Sequence, residues 1–410
     1  MQMSRKSHVL GHYLASSKEL TWAVTAVTPQ TSSRPSVATR KRSRNNMTKN
    51  PCVLFVALCF VSLSQQWFFN FAAEKKPCYE IGRSARSVCF DYTLQIDLYR
   101  RFRKNETTGE WISDCSINIS KMDDKLVNRS YWEDCFNPDG MTYIIIHGWN
   151  SNGKLQWVQD MTKAILNKTG GFGNVFSVDW SSAMPGLVES YLSAARHYQA
   201  VGDILAWFLK RMVDEVGLHP NRTHVISHSF GAYVMQRMAQ TLVEEFDEKL
   251  LWITGLDQSL RIPDMVKVFL GLQPSSNNMS LPDYKDVATF AEILHMPGLL
   301  GVPVPQGHVD FFFDGRCITF STSPLELAFG HNVAHHLYTE TIWHNDIWGI
   351  PVHCGNEEKE EDVCSREDRI PVGLQALDYF SRLNVSSIAL TVFKRKCDSE
   401  MSLNLNSNNI

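Results

Sequence analysis

Three residues of this chain have the types and settings that acyl-transfer chemistry requires: Ser229 in THVISHSFGAYVMQRM, Asp257 at the end of LWITGLD, and His331 in GHNVAHHLY. A serine hydroxyl is a weak nucleophile alone. It becomes effective when a histidine takes its proton during attack and a carboxylate fixes that histidine's tautomer. The text around Ser229 reads as strand, tight turn and helix, the setting in which an elbow holds a seryl oxygen at a strand's C-terminal end. The pattern is S-x-S-x-G rather than G-x-S-x-G, with Ser227 in place of the first glycine and Gly231 present. Small residues are needed because helix passes close to strand, and Ser227 is small. Taken alone, such a turn reads more readily as a plain helix cap, and Asp257 alone as a helix or turn cap. The order Ser, Asp, His along the chain favours the chemical reading. His228, His295, His335 and His336 compete with His331, and an arbitrary histidine is more often a satisfied core or surface residue.

A tetrahedral intermediate also needs donors for its oxyanion. The run IIIHGWN ends an early strand in His147–Gly148–Trp149, and the expected donors are the backbone N–H groups of Trp149 and Phe230. The Trp149 side chain reads as a buried aromatic beneath that loop.

These residues require strands that end together and helices that cover them. Candidate strands are 142–147, 175–180, 223–227, 251–257 and 289–295, whose near-continuous apolar character suits burial on both faces. Between the second and third, Ala195, Tyr198, Gly202, Leu205, Ala206, Leu209 and Val213 recur at helical spacing, which predicts a long crossover helix over 192–216. A second helix is expected just after Ser229, through AYVMQRMAQTLVEEF, and a third after His331, carrying His335 and His336. Alternating strands and helices predict an α/β fold with a mostly parallel sheet flanked by helices.

Several separated blocks, in order, resemble the animal pancreatic lipase family, which includes neutral lipases, secreted phospholipases A1 and insect yolk proteins. They are HGW at 147–149, VDW at 178–180, HSFG at 228–231, ITGLD at 253–257, GHVDFFFDG at 307–315 and GHNVAHHLYTETI at 330–342, within a match over most of 78–395. The resemblance implies an α/β-hydrolase fold and a Ser229–Asp257–His331 triad that hydrolyses lipid carboxylic esters, phospholipid or triglyceride, at a membrane or lipoprotein surface. The alternative it carries is a catalytically silent lipid-binding or storage protein. This chain departs from the family's pattern in three places. Gln258–Ser259 replaces the usual Pro-Ala. Phe329 stands where lidded members have a cysteine, so Cys317 needs another partner, for which Cys397 is a candidate. Only 318–330 separates Cys317 from His331, a short lid of the phospholipase A1 kind. No C-terminal β-sandwich domain is expected. Asp283 and Asp286 match positions near a calcium site in some relatives, but the remaining ligands are not identified, and no metal or cofactor is expected.

The first third reads differently. Residues 1–46 are rich in Ser, Thr and Arg and read as a disordered basic leader, with translation starting at Met47. Residues 47–73 carry an apolar run ending in Ala72–Ala73 and read as a signal peptide, or alternatively a signal anchor. The hydrolase domain is expected over 74–395, with a polar tail at 396–410. Removing the nine Lys/Arg and one Glu of 1–73 from totals of 40 and 43 leaves 31 basic and 42 acidic residues, net −11. That balance argues against nucleic acid and for an extracellular protein, with oligomeric state open. Eight cysteines follow the leader without metal-ligand spacing, so Cys78, Cys89, Cys115, Cys135, Cys354 and Cys364 are disulfide candidates. Sequons at Asn105, Asn118, Asn128, Asn167, Asn221, Asn278 and Asn384 point to glycosylation in the secretory pathway. Met265, Val266, Val268, Phe269, Leu270 and Leu272 form an apolar cluster that reads as core or as a lipid-facing loop.

Overall fold

The structure is a computed structural model, and it describes residues 22–23, 76–101, 103–123, 126–185, 190–261, 284–296, 300–313, 324–344, 348–351, 370–383 and 388–394. A disulfide-closed hairpin, β1 (Cys78–Ile81) and β2 (Arg86–Cys89), opens the domain. The main sheet then contains β3 (Leu94–Tyr99), β4 (Cys115–Ile119), β5 (Thr142–Ile146), β6 (Asn174–Asp179), β7 (Thr223–His228), β8 (Leu250–Leu256), β9 (Ala288–His295), β10 (Val309–Phe313), β11 (Trp348–Pro351), β12 (Ile370–Pro371) and β13 (Ile388–Lys394). Its order is β12-β11-β13-β10-β9-β8-β7-β5-β6-β3-β4, and Trp22–Ala23 pairs with Phe393–Lys394 beside β13.

The seven strands from β13 to β6 run parallel, and antiparallel pairs flank them at either end. The five expected strands form one contiguous block, β9-β8-β7-β5-β6, and each observed boundary lies within one residue of the expected one. Their apolar runs follow from being covered on both faces. On β5, Ile144 and Ile146 enter one core layer and Tyr143 and Ile145 the other, as a period of two requires.

Helices α1 (Gln156–Lys168) and α4 (Pro324–Trp343) cover one face, and α2 (Ser190–Val216) and α3 (Gly231–Thr241) the other. The crossover helix is thus two residues longer at its start than its apolar period predicts. Gly202 allows α2 and α3 to touch: a Cβ there would lie 2.7 Å from Cβ of Arg237. The helix expected through Phe246 is α-helical to Thr241 and finishes in a π turn over Leu242–Phe246. A shorter helix, α5 (Ala376–Leu383), follows β12.

The chain goes from β5 to β6 on one side and then returns to β7 on the other, so the order reverses at β5. In open parallel sheets the crevice at such a switch point, beyond the strand C-termini, is where sites form. The loops after β5 and β7 both open there. Among the described residues no helix is long and apolar enough to cross a membrane. Residues 47–73, the Met265–Leu272 cluster, Asp283 and all of 314–323 lie outside the described residues.

Candidate active site

At the end of β7 the chain turns into α3 through Ser229, whose φ of 56° is left-handed. An L-residue there is disfavoured by about 1–2 kcal/mol, so neighbours must hold it. The Ser229 N–H donates to the Leu256 carbonyl at 3.0 Å, tying the turn to the last residue of β8. Two glycines let other backbone approach. A Cβ on Gly148 would lie 2.7 Å from Cβ of Ser229, and one on Gly231 would lie 2.5 Å from the His147 carbonyl oxygen. Ser227, in the place of the usual glycine, is buried, and its hydroxyl lies 3.2 Å from Sδ of Met235 and 3.4 Å from the Thr254 carbonyl oxygen. A flexible methionine on α3 thus accommodates the extra side chain.

Asp257 follows β8 on a second left-handed backbone, φ 47°. Its own N–H donates to the Leu294 carbonyl at 2.8 Å, and its Oδ1 accepts the Met296 N–H at 2.9 Å. The buried carboxylate is therefore clamped by the end of β9. Gly301 completes the clamp, because a Cβ there would stand 2.7 Å from Cγ of Asp257 and collide with its oxygen.

His331 lies inside α4 rather than before it. The helix starts at Pro324, a residue suited to a first helical position, so His331 shares one rigid element with His335 and His336. Its Nδ1 donates to Oδ2 of Asp257 at 2.5 Å, and Nε2, left with a lone pair, faces Oγ of Ser229 at 2.6 Å. The structure thus brings Ser229, His331 and Asp257 into one chain of hydrogen bonds.

The other four histidines have different surroundings. His228, next to the nucleophile candidate, donates from Nε2 to the His331 carbonyl at 3.1 Å, and its ring stands 4.8 Å from those of both His331 and His335. His335 stacks on Trp157 at 4.5 Å. Burial pushes His228 and His335 well below the ordinary imidazole range, with neighbouring histidines adding to it, so neutral rings pack around His331. His336, half-buried, is also lowered by burial. His295 is paired elsewhere, its Nε2 with Asp310 at 2.7 Å and its Nδ1 with the Val302 carbonyl at 2.8 Å.

Of the two expected oxyanion donors, Phe230 directly follows Ser229, and Trp149 directly follows Gly148, the glycine that abuts it. Phe230 is buried against Tyr191 and Tyr233, 5.3 and 5.1 Å between ring centres. Among the described residues neither the Trp149 N–H nor the Phe230 N–H donates to another group. Idle backbone donors beside a nucleophile are what a developing oxyanion requires. The expectation of a buried Trp149 side chain is corrected: the indole is 39% exposed, held at the surface by Nε1 donating to Oγ of Ser190 at 2.6 Å and edge-on to Tyr191 at 5.3 Å.

Several residues support the site in ways their place in the sequence does not show. Gly301, His295 and Asp310 act through sheet neighbours that pattern alone does not reveal. The replacement pair behaves differently from a Pro-Ala turn: Gln258 is buried and accepts from Tyr284 at 2.6 Å and from Gln306 at 3.0 Å, while Ser259 bridges to Gly301.

Disulfides join Cys78 to Cys89 and Cys115 to Cys135. Cys317, Cys354, Cys364 and Cys397 lie outside the described residues, as do Asn278 and Asn384, whereas Asn105, Asn118, Asn128, Asn167 and Asn221 are all exposed. Among the described residues no group of three or more His, Cys, Asp or Glu is arranged to hold a metal.

Known proteins show the same likeness. The chain is 27% identical to human (Homo sapiens) hepatic triacylglycerol lipase over 67% of its own length and 54% of that protein's. It is 28% identical to pancreatic triacylglycerol lipase of Myocastor coypus over 44% and 36%, and 29% identical to human phospholipase A1 member A over 50% and 42%. The matches thus span about half, or less, of the length of these relatives. The family model described as Lipase matches residues 113–319, half of the chain, and on that match the chain belongs to the lipase family, in its pancreatic lipase group.

Proposed function

We propose that the protein hydrolyses lipid carboxylic esters by serine acyl transfer, with Ser229 as nucleophile, His331 as general base and Asp257 as the group that orients it. The observation that carries this reading is the hydrogen-bonded line from Asp257 through His331 to Ser229, 2.5 and 2.6 Å in length. His331 Nε2 takes the hydroxyl proton as Oγ attacks the ester carbonyl. The Trp149 and Phe230 N–H groups stabilise the oxyanion, and the protonated ring then gives its proton to the leaving alkoxide. Water, activated by the same ring, releases the fatty acid from the acyl-enzyme. Burial around Asp257 and His228 keeps the imidazole in a poorly solvated setting, where such dipoles act most strongly.

Substrates are lipid esters at a membrane or lipoprotein surface. Relatives named for triacylglycerol and for phospholipid hydrolysis are both at hand. The short 318–330 stretch supports phospholipid sn-1 hydrolysis at least comparable with that of triglyceride. Extracellular release after removal of residues 47–73 completes the proposal, supported by the two disulfides and the five exposed sequon asparagines.

The test is Ser229→Ala, assayed on triolein, phosphatidylcholine and a soluble short-chain ester. Activity on all three should fall below a few per cent of wild type while secretion and melting temperature persist. Undiminished turnover would exclude Ser229 as nucleophile, and an inert wild-type protein would favour the storage alternative.

A further inference from the structure

The donor loop contains a weakness that its own sequence creates. Gly148 must lack a side chain because Ser229 is so close, and glycine leaves the following peptide unit free to rotate. A rotation of the Gly148–Trp149 peptide by half a turn would present a carbonyl oxygen where an N–H donor is needed. Something other than steric bulk has to set that plane.

His147 is placed to do it. The residue is fully buried, and its Nε2 accepts the Trp180 N–H at 3.1 Å. That nitrogen therefore carries a lone pair, and the ring proton is on Nδ1. Nδ1 lies 2.8 Å from the Gly148 carbonyl oxygen, to which it donates. The ring is itself fixed, parallel to the Trp180 indole at 5.7 Å, and the Trp180 Nε1–H donates back to the His147 carbonyl at 2.7 Å. The nearest charge is Oδ1 of Asp179, 3.4 Å from Nε2, and that oxygen accepts the Ser181 N–H at 2.9 Å. Among the described residues there are no cis peptides, so C=O and N–H of the Gly148–Trp149 unit point in opposite directions. Holding the carbonyl on the His147 side turns the Trp149 N–H to the other.

We propose that His147 is a positioning residue for acyl transfer, whose Nδ1–H fixes the Gly148 carbonyl and thereby keeps the Trp149 N–H facing the developing oxyanion. The proposal rests on the site reading above. Its specific content is that a side chain touching no reacting atom sets the sign of the dipole presented to the transition state.

Three substitutions in the full chain separate this role from a structural one. Asparagine places an amide donor close to where Nδ1 sits; glutamine places one nearer Nε2; leucine supplies none. On a soluble short-chain ester, His147→Leu and His147→Gln should lower kcat by roughly 10–100-fold with KM within about threefold, since losing one oxyanion donor outright costs 10²–10³-fold. His147→Asn should recover to within about fivefold of wild type. Affinity for a trifluoromethyl ketone, which forms an oxyanion on Ser229, should fall in the same order. If leucine does not fold, the Asn/Gln contrast still decides. Equal kcat for Asn and Gln, or wild-type kcat in the leucine protein, would overturn the proposal. Activity surviving in Ser229→Ala would instead overturn the site reading beneath it.

Discussion

Two of the histidine–carboxylate pairs toward the C-terminal end of the sheet have the same components. His331 meets Asp257 at 2.5 Å, and His295 meets Asp310 at 2.7 Å. The difference is in what the second ring nitrogen faces. For His331 it is a seryl hydroxyl, which can surrender a proton. For His295 it is the Val302 carbonyl, which has none to give, and Asp310 is already occupied by the N–H groups of Gln306 and Gly307. One pair can therefore pass a proton on, while the other fastens the loop that presents Gly301 to Asp257. A histidine beside an aspartate is thus not in itself a catalytic feature; the third group decides.

Substitution within each pair should break the likeness in opposite directions. Asp257→Asn removes the acceptor that fixes the His331 tautomer, and kcat should fall about 10⁴-fold with little change in melting temperature. A loss under tenfold would show that the carboxylate does not orient the base. His295→Leu leaves Asp310 buried without its partner, and stability should drop by roughly 3–5 kcal/mol, measured by denaturant unfolding. Wild-type stability there would remove the distinction drawn between the pairs.

Glu292 supplies a third buried acid, this one without a histidine, and sharpens the comparison further. Burial raises its pKa to about 8, against the hydrogen bonds from the Gly373 N–H and the Thr254 hydroxyl that lower it. The folded chain keeps this proton up to that pH, whereas an unfolded glutamate loses it near 4.3. The unfolded state therefore binds fewer protons in between. The stabilising contribution is fully present below about pH 4.3 and declines by about 1.4 kcal/mol per pH unit until pH is near 8. Glu292→Gln should remove that part of the pH dependence, read as the difference between the two unfolding profiles. The smallest effect is expected at Ser227→Gly, which restores the commoner elbow pattern but leaves Met235 without its hydroxyl neighbour. Stability should change by less than about 1 kcal/mol and kcat by less than threefold; a large gain in kcat would mean that Ser227 holds the elbow in a poorer geometry.

The legible part of the molecule was what burial on both faces writes into a run of residues. IIIHGW, VFSVDW, HVISHS and LWITGLD each show a strand and then the residue delivered at its end, which is why the positions of Ser229, Asp257 and the loop after β5 could be read. His331 was legible through chain order, although its place within a helix was not, because the helical period around it is interrupted by polar residues. Pairings across the sheet were invisible. That Gly301 abuts Asp257, or that His228 holds the His331 carbonyl, depends on which strands become neighbours, and β8, β9 and β10 are adjacent for reasons spread over the whole sheet. Trp149 misled for a local reason: an aromatic after a buried strand suggests core, yet its polar edge found Ser190 at the surface.

Ser229 and Asp257 both occupy left-handed backbone, at φ 56° and 47°. Glycine would adopt either conformation without the ~1–2 kcal/mol that an L-side chain incurs there. At Asp257 the carboxylate's buried bonds to the Met296 N–H and to His331 outweigh that gain, so heat resistance and turnover pull against each other chiefly at Ser229. Variants selected only for surviving high temperature would drift toward glycine at the proposed nucleophile, and the sturdiest member of such a library would be the one least able to react.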